Sequence, residues 1–190
     1  LSTHAEVILV TEQDEVIGQM EKLEAHQKGV LHRAFSVLVF NDQHEMLLQR
    51  RAFGKYHSEG LWTNTCCSHP MPGESILEAA HRRLLEEMHL ECPLEPAFHF
   101  LYHAELDNQL IEHELDHVVI GYTNETPHLN TEEAIAFRWM SLDAISEDME
   151  EHPDKYTYWF KLIMHNYSEQ LHEKIAHLIP VKTHIHQKNK

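Results

Sequence analysis

The hydrophobic positions of this chain fall into short runs separated by polar punctuation, and over most of its length the runs suit strands. Residues 7–10 and 16–20 flank Glu12-Gln13-Asp14-Glu15 and predict a hairpin. Residues 35–40 are continuously apolar apart from Ser36; Asn41-Asp42-Gln43-His44 reads as a turn, and 46–49 as the partner strand. The stretch 50–73 is expected to be a loop. Residues 98–106 and 110–122, separated by Asp107-Asn108-Gln109, predict a longer hairpin, and 137–140 a further short strand.

Helical periodicity is clearest over 74–90. Leu77, Ala80, Leu84 and Met88 share one face, and Ser75 with Glu78 has the form of a capping box. At ~100° per residue, Arg83 and Glu87 flank that apolar stripe as i, i+4 neighbours, while Glu86 faces solvent. Such a pair is either an ordinary surface ion pair, worth about 0.2–0.5 kcal/mol, or the rim of a site. Ser141 is placed to cap a following helix, the acidic run 147–154 to be a solvated face or loop, and 156–171 to be a second amphipathic helix. Strands around a well-made helix, with another near the end, indicate an α/β (α+β) domain rather than a bundle. The expected organisation is one domain over 1–175 and a polar, loosely held tail over 176–190.

Composition narrows the class. The chain has 190 residues and 42% hydrophobic content, enough for one real core. It carries 15 Lys+Arg against 31 Asp+Glu, a net charge of −16, which disfavours nucleic acid and anionic membrane surfaces. No run of ~18 apolar residues is present to span a bilayer. The chain opens at Leu1 without a basic-then-apolar leader, and Cys66, Cys67 and Cys92 make a poor disulfide framework. The expectation is a cytoplasmic protein with free thiols, acting as a monomer.

Candidate chemistry lies among 19 histidines and two short motifs. Glu112 and Glu114, two apart in a strand, put two carboxylates on one face, a costly pairing unless a cation separates them. With His26, His32 and His69 they suit a borderline divalent ion. On spacing alone, a solvated edge strand fits as well, and among so many histidines any three are easily chosen. In Trp62-Thr63-Asn64-Thr65-Cys66-Cys67-Ser68-His69-Pro70, a thiol two residues from a histidine is either an activated group or a buried bystander.

A resemblance decides between these readings. The run Glu74-x7-Arg82-Arg83-Leu84-x-Glu86-Glu87-x-His89-Leu90 resembles the Nudix box, G-x5-E-x7-R-E-U-x-E-E-x-G-U. Three positions depart: Ser68 for the first Gly, Arg83 for a Glu and His89 for the last Gly. The Trp-Thr-Asn-x-x-Cys-x-His-Pro signature at 62–70, and the Glu-x-Glu strand at 112–114, resemble the type I isopentenyl-diphosphate delta-isomerases, a branch of the Nudix fold. The resemblance implies a mixed β-sheet sandwiched between helices with an N-terminal hairpin extension. It also implies interconversion of isopentenyl and dimethylallyl diphosphate in isoprenoid biosynthesis.

Carried onto this chain, the resemblance implies roles residue by residue. His26, His32, His69, Glu112 and Glu114 hold a roughly octahedral divalent metal (Mn²⁺, Zn²⁺ or Mg²⁺). Cys67 and Glu114 are the acid/base groups, and Glu87 holds a Mg²⁺ bridging to the diphosphate. Lys22, Arg51, Lys55 and Arg83 bind the diphosphate, and Tyr102 and Trp159 surround the hydrocarbon. Arg83 in place of a metal-binding Glu favours holding a diphosphate intact over cutting it. His89 in place of Gly puts the helix-ending turn in doubt. The rivals are a Nudix hydrolase, which needs no Cys67, and a metal-buffering protein suggested by the histidine excess.

Overall fold

Residues 5–179 are described by a computed structural model. The elements run β1 (Glu6–Val10), β2 (Val16–Glu21), α1 (Lys22–Lys28), β3 (His32–Phe40), β4 (Glu45–Arg51), β5 (Trp62–Thr63) and β6 (Cys66–Ser68). They continue with α2 (Ile76–Met88), β7 (Leu94–Glu105), β8 (Ile111–Tyr122), β9 (Ala134–Ser141), α3 (Leu142–Glu151) and α4 (Tyr158–Leu178). All the strands join one mixed sheet with β3 at its centre. β3 pairs antiparallel with β1, β4 and β6, and parallel with β8 from His32↔Glu114 to Phe40↔Tyr122.

The continuous apolar character of β3 follows from burial on both faces. Phe35, Val37 and Val39 pack with Ala80, Leu84 and Met88 of α2. Leu38 and Phe40 pack on the other side with Phe160, Ile163 and Met164 of α4. The sheet is therefore sandwiched between helices, and the β1–β2 hairpin extends it at the N-terminal end, as expected.

The capping box of α2 is formed in full. Ser75 Oγ accepts from the Glu78 N–H at 3.2 Å, and Glu78 Oε2 accepts from the Ser75 N–H at 2.8 Å. Ser75→Ala is expected to cost about 1 kcal/mol, read as a lower urea midpoint with unchanged slope. At the other end, His89 keeps the left-handed turn that its identity put in doubt, with φ 51° and ψ 40°. Its N–H donates to Leu85 O at 3.0 Å, and its Nδ1 lies 2.6 Å from His128 O, so a side-chain bond offsets the cost of lacking glycine.

Three local differences from the sequence pattern matter. α1 was not foreseen, because a helix of this length shows too little periodicity to recognise. It is closed by Gly29 at φ 65°, where a Cβ would meet Ile111 at 3.1 Å. Strands β5 and β6 lie inside the expected loop 50–73. The acidic run is a solvated face, as expected, over its first five residues, which end α3, whose Leu142, Ile145 and Met149 are buried. Helix α4 runs on to Leu178, so the first three residues of the expected 176–190 tail are helical, and residues 180–190 lie outside the described residues.

Candidate active site

Three imidazoles and one carboxylate meet where α1, β3, β6 and β8 come together. The β3/β8 register sets His32 opposite Glu114, α1 brings in His26, and the chain leaving β6 brings in His69. Glu114 Oε1 lies 2.9 Å from His69 Nε2, 3.3 Å from His32 Nε2 and 3.7 Å from His26 Nε2. Each ligand atom of these four residues is within 4.8 Å of the others. His26 Nδ1 lies 2.7 Å from Lys22 O, and His32 Nδ1 2.8 Å from Val30 O. A carbonyl only accepts, so those Nδ1 atoms carry the protons, and in neutral rings the Nε2 lone pairs face the carboxylate.

Lone pairs aimed at a carboxylate repel it, and His26 Nε2 and His32 Nε2 are buried without a hydrogen-bond partner. Positive charge has to stand between them. Burial alone would raise Glu114, and only donors or positive charge at the three Nε2 positions hold the carboxyl well below its ordinary range. Supplying that charge as several buried imidazoliums is costly, and burial lowers His69 itself to about 3. A divalent ion supplies it without protons, so the donor set fits a metal.

Glu112 stands beside this group rather than in it. It shares a second, overlapping cluster with His26 and His57, and its Oε1 is 3.4 Å from His57 Nε2. Burial and the Glu114 charge push Glu112 well above the ordinary carboxylate range. The Tyr102 hydroxyl lies 2.7 Å from Glu112 Oε2 and 2.8 Å from Glu114 Oε2, so one proton is shared by two acceptors. Tyr102 thus braces the two carboxylates from the core, behind the cavity wall, instead of lining the space for a hydrocarbon.

The adjacent cysteines separate because successive strand residues point to opposite faces. Cys66 is fully buried on the α2 side. Cys67 faces the cavity opposite Ser36 of β3. Asn64 explains the spacing of the signature. Its Nδ2 donates to Val37 O at 3.1 Å and Cys66 O at 3.0 Å, which fixes the amide. Its Oδ1 then accepts from Cys67 Sγ at 3.2 Å and Trp159 Nε1 at 3.2 Å. The same indole N–H reaches Cys67 Sγ at 3.0 Å, and Arg51 lies 5.4 Å over the Trp159 ring. Burial and then the nearby Asp116 push the Cys67 thiol up to about 12, so it is protonated at neutral pH.

The cavity is also cationic. Lys22, Arg51, Lys55 and Arg83 all line it. Burial first, then the charges of Lys55 and Arg83, lower the pKa of Lys22. Arg83 NH2 lies 2.6 Å from Glu87 Oε1, and Gln49 Nε2 donates to Glu87 Oε2 at 2.8 Å, which fixes this buried carboxylate. The whole space is about 650 Å³ including its open mouth, the size of a small-ligand site.

A Nudix domain model matches residues 30–160. An isopentenyl-diphosphate Delta-isomerase of Pectobacterium atrosepticum is 54% identical over 83% of this chain and 88% of that protein. Isopentenyl-diphosphate Delta-isomerase 2 of Photorhabdus laumondii is 48% identical over 91% of this chain and 98% of its own length. The chain belongs to the isopentenyl-diphosphate delta-isomerase branch of the Nudix family. A solved structure from Deinococcus radiodurans superposes with TM-score 0.70 over 85% of this chain and 99% of that one. At 18% identity it speaks for the fold alone.

As a member of this branch, the chain uses two residues of the box as a strap. Arg82 Nε and NH2 hold Glu74 Oε1 and Oε2 at 2.7 and 2.9 Å, fastening the start of the box to α2. The departure Arg83 takes the cavity-facing position and pairs with Glu87 and Glu133. Sequence reasoning missed Tyr56, His57, Asp116 and Glu133, which also line the cavity. Asp116 carried a signal, since it continues the one-face alternation of Glu112 and Glu114. Burial, then Glu114, raise it to about 8, and Ser36 Oγ donates to it at 2.7 Å. Nothing distinguished His57 among 19 histidines.

Proposed function

We propose that this chain interconverts isopentenyl diphosphate and dimethylallyl diphosphate for isoprenoid biosynthesis, by adding a proton at one carbon and removing one at another. The observation that carries the reading is that Cys67 of β6 and Glu114 of β8 line one cavity with four cations, Lys22, Arg51, Lys55 and Arg83. Lys22, Arg51, Lys55 and Arg83 bind the diphosphate and aim the short hydrocarbon toward Cys67 and Glu114. A proton added at the terminal methylene leaves a tertiary carbocation. Loss of a proton from the methylene next to the cationic carbon then gives the internal double bond. One group gives and the other takes, so the net proton count is zero and the roles exchange in the reverse direction. Cys67, a thiol held by Asn64 and Trp159, is one partner, and the ionised Glu114 is the other. The Trp159 ring excludes water and favours the cation by ~0.5–2 kcal/mol.

His26, His32, His69 and Glu114, with Glu112 turning in to join them, would hold a divalent metal (Mn²⁺, Zn²⁺ or Mg²⁺), and Glu87 would hold a Mg²⁺ at the diphosphate. Bound there, the ions neutralise the buried carboxylates and the substrate's charge. Free Cys66, Cys67 and Cys92 suit the reducing cytoplasm, and no described helix is long and apolar enough to cross a membrane. The enzyme works as a monomer on a small molecule, without nucleic acid. Diphosphate hydrolysis is the rival activity, and Arg83 argues against it by standing where the box carries a metal-binding Glu. Incubating isopentenyl diphosphate with protein and Mg²⁺ should yield isomer without orthophosphate or pyrophosphate. Release of either in place of isomer overturns the reading.

A further inference from the structure

Two of the cavity's cations already share an anion of the protein's own. Glu133, on the turn entering β9, accepts a hydrogen bond from Lys55 Nζ through Oε2. Its Oε1 lies 3.3 Å from Arg83 NH2. The backbone fixes its place: the Glu133 N–H donates to Asn130 O at 2.9 Å, and its carbonyl accepts from the Ala52 N–H at 2.9 Å. The side chain is therefore clamped in the cavity lining between two of the groups read as diphosphate-binding. Burial would raise its pKa, but Lys55 and Arg83 lower it.

We propose that Glu133 is a specificity-determining counter-ion that an incoming diphosphate must displace from Lys55 and Arg83. This rests on the reading of those two residues as diphosphate-binding groups. Without ligand, the converging cations repel one another, and the Glu133 carboxylate pairs with Lys55 and joins Glu86 and Glu87 on Arg83, bridging the two cations in the cavity. With ligand present, the same carboxylate opposes the substrate's charge. A single phosphate gains too little to dislodge a carboxylate tied to two cations. A diphosphate carries more charge and spans Lys22 and Arg51 as well, so it can. Glu133 thus lowers affinity for all anions but least for the correct one, which is discrimination by built-in repulsion.

The test is Glu133→Gln, which keeps the shape and the backbone contacts. KM and kcat for isopentenyl diphosphate are measured beside inhibition constants for inorganic pyrophosphate and orthophosphate, at fixed Mg²⁺ and ionic strength. The expected result is a KM lower by roughly tenfold with kcat little changed. The orthophosphate constant should fall more than the pyrophosphate one, and Glu133→Ala should shift KM in the same direction. A damaged fold does not tighten substrate binding, so the sign separates this role from a structural one. An unchanged or raised KM overturns the proposal, as does weaker Mg²⁺ binding, which would make Glu133 a metal ligand. A wild-type protein that neither isomerises substrate nor binds pyrophosphate defeats the proposed function itself, a different result from an active enzyme with unaltered KM.

Discussion

Cys67→Ala should lower isomerisation by about 10²–10⁴-fold, the range for removing a positioned acid or base, while Cys66→Ala should leave the rate nearly intact. The contrast comes from strand alternation. Cys66 is fully buried among residues packed on α2, whereas Cys67 lines the cavity, bonded to Asn64 and Trp159. Cys66→Ala therefore acts on stability, costing about 1 kcal/mol in a urea unfolding curve. Steady-state rates for both variants, with circular dichroism to confirm folding, decide the matter. Loss of activity in Cys66→Ala alone would mean that the cavity-facing residue of β6 is misplaced by one position.

Stripping divalent metal should have an effect of similar size. With nothing between them, the bare Nε2 atoms of His26 and His32 face Glu114 Oε1 at 3.7 and 3.3 Å, in a site with no water-like dielectric to soften the repulsion. Chelation should reduce activity at least a hundredfold, and Mn²⁺, Zn²⁺ or Mg²⁺ should restore it. It should also lower Tm, because an ion at 100 times its Kd stabilises the folded state by ~2.7 kcal/mol. In a domain of this size that corresponds to about 5–10 °C. His32→Gln should remove the metal-dependent rise in Tm, a readout independent of catalysis. If exhaustive chelation changes neither rate nor Tm, the four donors are held together by protons and the metal reading is wrong.

The sequence pattern revealed most where one physical rule dominates a long stretch. β3 was visible because burial on both faces demands a continuous apolar run, and α2 because its cap and stripe agree. Glu112 and Glu114 were visible as a same-face pair, but their environments were not. Only the fold shows Tyr102 bracing both carboxylates, and Glu112 grouped with His26 and His57 beside the four donors. α1 was hidden by its shortness, although it carries both His26 and Lys22. Glu133 was hidden because it sits on a turn, where no periodicity marks a side chain as inward-facing, and its partners Lys55 and Arg83 are distant in the chain. The Trp-Thr-Asn-x-x-Cys signature could be recognised as a string. That Asn64 is the residue fixing the thiol emerges only from its hydrogen bonds to Val37 and Cys66.

The most direct measurement is proton NMR of isopentenyl diphosphate incubated with the protein and Mg²⁺ in D₂O. Protonation at the terminal methylene by groups that exchange with solvent predicts dimethylallyl diphosphate bearing deuterium in a methyl group, with the diphosphate intact. A substrate spectrum that stays unchanged, or that gives way to free phosphate without the isomer, would contradict the account.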